Sequence, residues 1–340
     1  MTKSLVTGGA GFIGSNLVDR LLELGHEVVV IDNEYSDAHD QFYWNDNAQN
    51  YKYDIRDYEN TRPLYDGVDY VFHAAALKQV PSCEFYPIEA VQTNVLGTAN
   101  ILNAILQHDA SRWVVVITTD KVYKNVEKLE GYSEDEPLGG KDPYSASKAA
   151  TEMVVSAWQT LASQSDKKIS ICAARAGNVI GGGDTAEDRL IPDLIRGFHA
   201  KSKTLIRNPE SIRPWQHVLD PLNGYLTIGV NLMEGKKISP AYNFGPGEES
   251  KLTVQEMAAY ACSQWPESLG IEIKVDPTAV PESGLLWLSS DLATKELGWR
   301  NRFEAQEAIG WTIEWEKESM SSTPLSALDQ QINGFFGAKL

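Results

Sequence analysis

The chain has 340 residues, 42% hydrophobic and 23% charged, with 30 Lys and Arg against 47 Asp and Glu and a net charge of −17. That length and apolar fraction suffice for one large α/β domain plus a smaller lobe. The acidic balance argues against nucleic acid or an anionic membrane surface as a main partner, but not against a phosphorylated small molecule, which a few local arginines can hold.

Lys3–Thr7 reads as a short buried strand, followed by a glycine-rich turn from Gly8 to Gly14. Apolar side chains at 13, 17, 18, 21, 22 and 24 then predict a helix over 12–24, ended by Gly25, and Glu27–Asp32 reads as a second strand. This is a βαβ unit. Residues 33–50 are polar and aromatic and read as a loop. Further strands are predicted at 51–54, 68–73, 112–118 and 168–175, with helices over 86–107 and 144–163. The alternation predicts a mostly parallel sheet with helices on both faces, a Rossmann-type doubly wound α/β fold.

After Arg175 the rhythm breaks. Residues 177–188 are glycine-rich and polar, 189–200 reads as helix, and 207–220, with Pro209 and Pro214, as loop. Helices near 223–233, 253–264 and 304–318 then make a smaller mixed α/β lobe. The expected division is a dinucleotide-binding domain over 1–176 and a mainly substrate-binding lobe over 177–340, with later segments able to return to the first. Cys83, Cys172 and Cys262 are far apart and lack metal-ligand spacing, and Cys172 sits in an apolar run typical of a core. The first strand starts with no signal peptide before it, and no apolar run approaches transmembrane length, so a cytoplasmic location and no metal are expected.

Thr7-Gly-Gly-Ala-Gly-Phe-Ile-Gly14 gives GxxGxxG from Gly8 and GxGxxG from Gly9. It follows a strand, opens a helix and leads to Asp32 at the end of the next strand, a context that points to a dinucleotide. Glycines admit the pyrophosphate to the helix N-terminus, and a carboxylate at Asp32 accepts from a ribose diol and repels a 2′-phosphate, which favours NAD over NADP. Asp54 and Ile55 close the third strand where the adenine would lie. Ala74, Ala75 and Ala76 close the fourth, small enough to let a cofactor cross the sheet edge.

The strand ending at Thr118 runs into Thr119-Asp120-Lys121, and a later helix opens with Tyr144-Ser-Ala-Ser-Lys148. Tyr144 and Lys148 are four apart, hence on one helix face. An ammonium beside a phenol favours the phenolate, so Tyr144 is expected to take a proton from an alcohol near neutral pH. Asp120 and Lys121 add a second acid/base pair, which an oxidation alone does not need.

These residues, with the opening glycine turn, resemble the extended short-chain dehydrogenase/reductase superfamily over essentially the whole chain. The pair after Thr119 resembles that of its nucleotide-sugar 4,6-dehydratases. The runs Asp142-Pro-Tyr-Ser-Ala-Ser-Lys148, Gly177-Asn-Val-Ile-Gly-Gly-Gly-Asp184 and Arg213-Pro-Trp-Gln-His-Val-Leu-Asp-Pro-Leu-Asn-Gly-Tyr225 are most similar to CDP-glucose 4,6-dehydratases. Phe72-His-Ala-Ala-Ala-Leu-Lys-Gln-Val-Pro81 looks more like the inverting UDP-N-acetylglucosamine 4,6-dehydratases, which have a shorter stretch between lysine and tyrosine than this chain. That alternative and a 4-epimerase therefore stay open, as do the nucleotide and the hexose.

The resemblance implies an NAD-dependent hydro-lyase that makes a 4-keto-6-deoxy sugar from a nucleotide-diphosphate sugar. It implies a homodimer or homotetramer, through helices on the nucleotide-binding domain. Thr119, Asp120, Lys121, Tyr144 and Lys148 would be catalytic. Tyr144 removes the C4 hydroxyl proton, Asp120 is the acid at C6, and Lys121 takes part in proton transfer at C5, as base or as stabiliser of the enolate. As a base near pH 7 it needs roughly three units of depression, about 4 kcal/mol. The cofactor site would comprise Gly8, Gly11, Phe12, Ile13, Gly14, Asp32, Asn33, Asp54, Ile55, Ala74, Ala75, Ala76, Asn94, Thr118 and Ala176, with Tyr144 and Lys148. Substrate contacts would come from Lys78, Thr119, Asn178, Arg189, Leu190, Arg213, Trp215 and His217, the last equally able to be a core histidine.

Overall fold

A computed structural model of the chain describes residues 1–35, 41–108, 113–274 and 284–337. At its centre lies a seven-stranded sheet in the order β10-β6-β5-β4-β1-β2-β3, parallel throughout. Its strands are β1 (Lys3–Thr7), β2 (Glu27–Asp32), β3 (Gln49–Lys52), β4 (Tyr70–His73), β5 (Trp113–Ile117), β6 (Ser170–Ala176) and β10 (Ala241–Phe244). The order reverses between β1 and β4, which opens a crevice above their carboxyl ends.

Val/Ile-rich strands with no polar face must be covered on both sides, and alternate residues go to opposite layers. Val6, Val30, Phe72, Val115 and Ile117 pack with Leu17 and Leu21 of α1 (Phe12–Glu23) and with Leu222, Tyr225 and Ile228 of α8 (Leu219–Met233). Leu5, Val29, Ile31, Val71, Val114 and Val116 pack with Ile101 and Ile105 of α5 (Thr98–Gln107) and Val155 of α6 (Pro143–Gln164). Each such side chain taken fully out of water contributes roughly 1.5–3 kcal/mol. Cys172 belongs to the first layer and is fully buried.

The second half adds two short parallel pairs. β7 (Asn178–Ile180) pairs with β9 (Trp215–His217), and β8 (Thr204–Ile206) with β11 (Ile271–Ile273). A separate apolar cluster joins α7 (Leu190–Ala200), α9 (Val254–Gln264) and α11 (Ala305–Ser319) through Leu194, Phe198, Met257, Ile309 and Ile313. A Thr253–Glu256 capping box starts α9.

Several predicted boundaries differ. The third strand runs 49–52 rather than 51–54, because Asp54 accepts from the Arg56 backbone N–H and turns the chain. The helix expected over 86–107 is broken. Tyr86, at φ −120° and ψ 61°, separates α3 (Val80–Phe85) from α4 (Pro87–Val91), and a π-helical turn at Gln92–Gly97 precedes α5. The loop expected over 207–220 contains β9 and the start of α8. The short elements α2 (Tyr58–Thr61) and α10 (Asp291–Leu297) were not legible, nor were α12 (Pro324–Phe336) and β10, which returns to the sheet edge. Arg112 and part of the 33–50 loop lie outside the described residues. Among the described residues no helix is long and apolar enough to cross a membrane.

Candidate active site

A cleft of about 1460 Å³ runs along the carboxyl ends of the strands. Its first wall is the glycine turn. Gly8 has φ +70°, and a Cβ there would stand 2.7 Å from the Ala75 nitrogen; one on Gly14 would stand 2.0 Å from the Gly8 oxygen. No side chain fits either position. Gly11 is the N-cap of α1 and offers no side-chain cap, so the first-turn N–H groups remain for an anion.

At the end of β2 the Asp32 carboxylate accepts from the Ala10 N–H at 3.1 Å and the Glu34 N–H at 2.8 Å. Burial raises its pKa, against those bonds. Each oxygen keeps a lone pair for a hydroxyl donor. Tight backbone, an uncapped helix start and a carboxylate at the next strand end fit a dinucleotide with a free ribose diol. Phe12, Ile13, Asn33, Ile55, Ala74, Ala75, Ala76 and Ala176 also line the cleft.

Asp142 caps α6 by accepting from the Ser145 N–H at 2.9 Å, and Pro143 occupies its first turn. This delivers Tyr144 and Lys148 to the cleft from one helix face, both buried. The Lys148 ammonium donates to the Ile117 carbonyl at 3.0 Å, and burial lowers its pKa to about 8, with Glu152 opposing. Tyr144 is pushed up to about 12 by burial, with Asp120 adding to the rise and Thr119 and Arg189 opposing it. Burial dominates the phenol, and the Lys148 ammonium is directed at the β5 backbone.

Facing Tyr144, the Thr119 hydroxyl donates to Asp120 Oδ1 at 2.8 Å, and Lys121 Nζ reaches the same oxygen at 3.2 Å and Asn178 Oδ1 at 3.5 Å. Thr119, Lys121 and Asn178 line the cleft; Asp120 is fully buried behind them, with its Oδ2 unpartnered. Thr118 lines it too, and its hydroxyl donates to Glu152 Oε1 at 2.6 Å.

Toward the second lobe the walls include Lys78, Arg189, Leu190, Arg213 and Trp215. Arg189 pairs with Asp184 at 3.1 Å, and Arg213 donates to the Ile212 carbonyl at 3.0 Å.

Besides Asp120, three predicted residues lie off the walls. The Asp54 carboxylate is held by Arg56 at 2.7 Å and Asn33 at 3.0 Å, and Arg56 takes its place on the wall. Asn94 is buried and clamps the Leu77 N–H and carbonyl and the Ser147 hydroxyl. His217 is a core histidine, wedged against Phe303 and Trp311, and burial lowers it to about 3. Arg207, paired with Asp188 at 2.7 Å, lines the cleft and was missed, although it stands beside Asn208 and Pro209 in a polar turn between predicted helices. Among the described residues no cluster of His, Cys, Asp or Glu could hold a metal.

A family model described as the NAD dependent epimerase/dehydratase family matches residues 4–245. The chain is 39% identical over 326 residues to a CDP-glucose 4,6-dehydratase of Salmonella typhimurium, covering 92% of this chain and 89% of that one. In structure it resembles an epimerase from Methanothermobacter thermautotrophicus at a TM-score of 0.82 and 25% identity, covering 94% and 93% of the two chains. It also resembles a dTDP-glucose 4,6-dehydratase from Bacillus anthracis solved with NAD, at 0.77 and 22% identity over 94% and 98%. The last likeness speaks for the fold alone.

Proposed function

Because the chain belongs to the NAD-dependent epimerase/dehydratase family, we propose that it is a nucleotide-sugar 4,6-dehydratase that converts CDP-D-glucose to CDP-4-keto-6-deoxyglucose. The observation that carries this reading is Thr119 and Lys121 on the cleft wall facing Tyr144, with Asp120 buried directly behind them and one of its carboxylate oxygens unpartnered. A 4-epimerase needs only the tyrosine. A second acid/base pair has work in a reaction that also expels water.

Bound NAD supplies the place where hydride from sugar C4 is kept until it is returned at C6. The rest falls to the protein. Tyr144 accepts the C4 hydroxyl proton, and Thr119 holds that hydroxyl in line. With Tyr144 pushed up to about 12 by burial, its phenolate is a strong base, and the positive charge of an oxidised nicotinamide would oppose the burial effect. The new 4-ketone acidifies C5–H. Lys121, reaching from the wall beside Asn178, takes part in removing that proton and in returning one to C5 when C6 receives the hydride. Asp120 gives its proton to the departing C6 hydroxyl, which leaves as water. Gly8, Gly11 and Gly14 would seat the pyrophosphate of the dinucleotide, Asp32 would take the adenosine ribose and exclude a 2′-phosphate, and Lys148 would hold the nicotinamide ribose. Arg189 and Arg213 hold the sugar-nucleotide diphosphate, since guanidinium matches it with paired donors.

On this reading residues 1–176 serve mainly the dinucleotide and the later half mainly the sugar nucleotide, with β10 returning to the first. Incubation with CDP-, UDP-, dTDP- and GDP-hexoses, read by the alkaline absorbance of 4-keto sugars, tests the assignment. CDP-glucose should give the strongest signal. Signal from UDP-N-acetylglucosamine alone would move the proposal to the inverting dehydratases, and none from any sugar would remove it.

A further inference from the structure

Behind the cleft lies a buried ion pair for which the reaction just proposed has no assigned use. Glu152 follows Lys148 by one helical turn on α6, and Arg175 stands near the end of β6. Arg175 Nε donates to Glu152 Oε1 at 2.9 Å and Nη2 to Oε2 at 3.0 Å, with both side chains about 5% exposed or less. Oε1 also accepts the Thr118 hydroxyl. The remaining Arg175 nitrogen donates to the Tyr123 hydroxyl at 2.7 Å and the Glu134 carbonyl at 3.1 Å, and Tyr123 passes a hydrogen bond to Asn243 Oδ1 at 2.7 Å. One connected set of polar groups therefore ties the ends of β5, β6 and β10 to the helix that carries Tyr144 and Lys148.

A pair buried this deeply is a poor way to add stability, because desolvation of two ions consumes most of their attraction and apolar replacements often serve as well. Its position is more telling. Thr118 and Arg175 flank the strand end that leads directly into Thr119-Asp120-Lys121, and Glu152 sits on the face of α6 below Lys148.

The groups facing Lys148 are few. Glu152 comes from its own helix, one turn after it, Cys83 from α3 and His73 from β4, with the Ile117 carbonyl from β5. His73 is held neutral by burial between Thr7 and Thr98, and Asp120 and Arg189 act on Tyr144 instead. Glu152 is the carboxylate in this set.

We propose that Glu152 and Arg175 are positioning residues: the pair locks the Thr119–Lys121 turn against α6, and the Glu152 charge, metered by Arg175, keeps Lys148 an ammonium. This rests on Tyr144 and Lys148 serving the reaction proposed above. The sign of the Glu152 effect on Lys148 agrees, since it opposes the lowering by burial.

The two halves of the pair make opposite predictions, which a merely structural role does not. Glu152→Gln removes the negative charge, so Lys148 gives up its proton at lower pH. The alkaline limb of the kcat/KM profile should then move acidward by roughly one pH unit, the low end of charge-neighbour shifts. Arg175→Gln leaves Glu152 uncompensated and should move that limb alkaline. Glu152→Asp, which keeps the charge, should restore the wild-type limb. The apolar pair Glu152→Leu/Arg175→Met should fold and move the limb acidward, so a folding failure of a single variant leaves a test standing.

The same shifts should appear without dinucleotide or substrate, in the NMR titration of the Lys148 Cε in protein labelled with ¹³Cε-lysine and assigned with Lys148→Met. Limbs that stay put, or that move together in Glu152→Gln and Arg175→Gln, overturn the proposal. A wild-type enzyme inert toward every nucleotide sugar would instead overturn the functional reading, while the NMR titration would still decide this one.

Discussion

The two ends of the cleft are built from opposite materials. At the glycine turn the site is made of missing side chains: Gly8 and Gly14 leave no room for a Cβ, and Gly11 leaves the α1 N-terminus bare. At the reacting end it is made of buried polar side chains: Tyr144, Thr119 and Lys148, tied to neighbours from other elements, and Asp120, held by Thr119 and Lys121 of its own turn. The first end is rigid because the backbone has nowhere else to go. The second is set by electrostatics, and burial there moves proton affinities more than any neighbour does.

Substitutions should sharpen this contrast. The largest effect is expected for Tyr144→Phe, which removes the only atom of that ring able to take a proton; turnover measured by 4-keto formation should fall roughly 10³–10⁴-fold with the melting temperature nearly unchanged. Asp120→Asn should cost about 10²-fold in the same assay and leave reduced cofactor visible by its near-ultraviolet absorbance, because oxidation at C4 proceeds while water loss stalls. Normal turnover in that variant would take Asp120 out of the chemistry.

Gly14→Ala tests the other end. Its Cβ meets the Gly8 oxygen at 2.0 Å, so the turn must open. A loss of about 1–3 kcal/mol in denaturant unfolding is expected, with loss of NAD binding by calorimetry. Unchanged NAD affinity would contradict a backbone-built cradle. The smallest effect should come from Arg207→Ala. Its pair with Asp188 is largely exposed, so stability should change by less than about 1 kcal/mol, while KM for the sugar nucleotide rises.

The contrast also explains what could be read from the chain. Gly8 to Gly14 with Asp32 is local and spaced by the geometry of one βαβ unit, so it was legible. Tyr144 and Lys148 were legible as a helical pair, yet their proton affinities were not, because burial depends on the layers packed around α6 and on a Lys148 contact to the Ile117 carbonyl. Asn94 shows the same limit. A π turn at Gln92–Gly97 aims it at Leu77 and Ser147, and nothing in periodicity announces that turn. His217 sits in the polar run after Arg213 but pairs with β7 in a strand and faces aromatic rings. The Glu152–Arg175 pair joins residues 23 apart in sequence through adjacent sheet and helix, a contact that only the fold creates.

Loss of water after oxidation of the sugar is what separates a dehydratase from an epimerase. The most direct measurement is the NMR spectrum of the product formed from CDP-glucose in deuterium oxide. A C6 methyl in place of the hydroxymethyl group, a 4-ketone or its hydrate, and deuterium at C5 are expected. An intact C6 hydroxymethyl group with inverted C4 would contradict the loss of water.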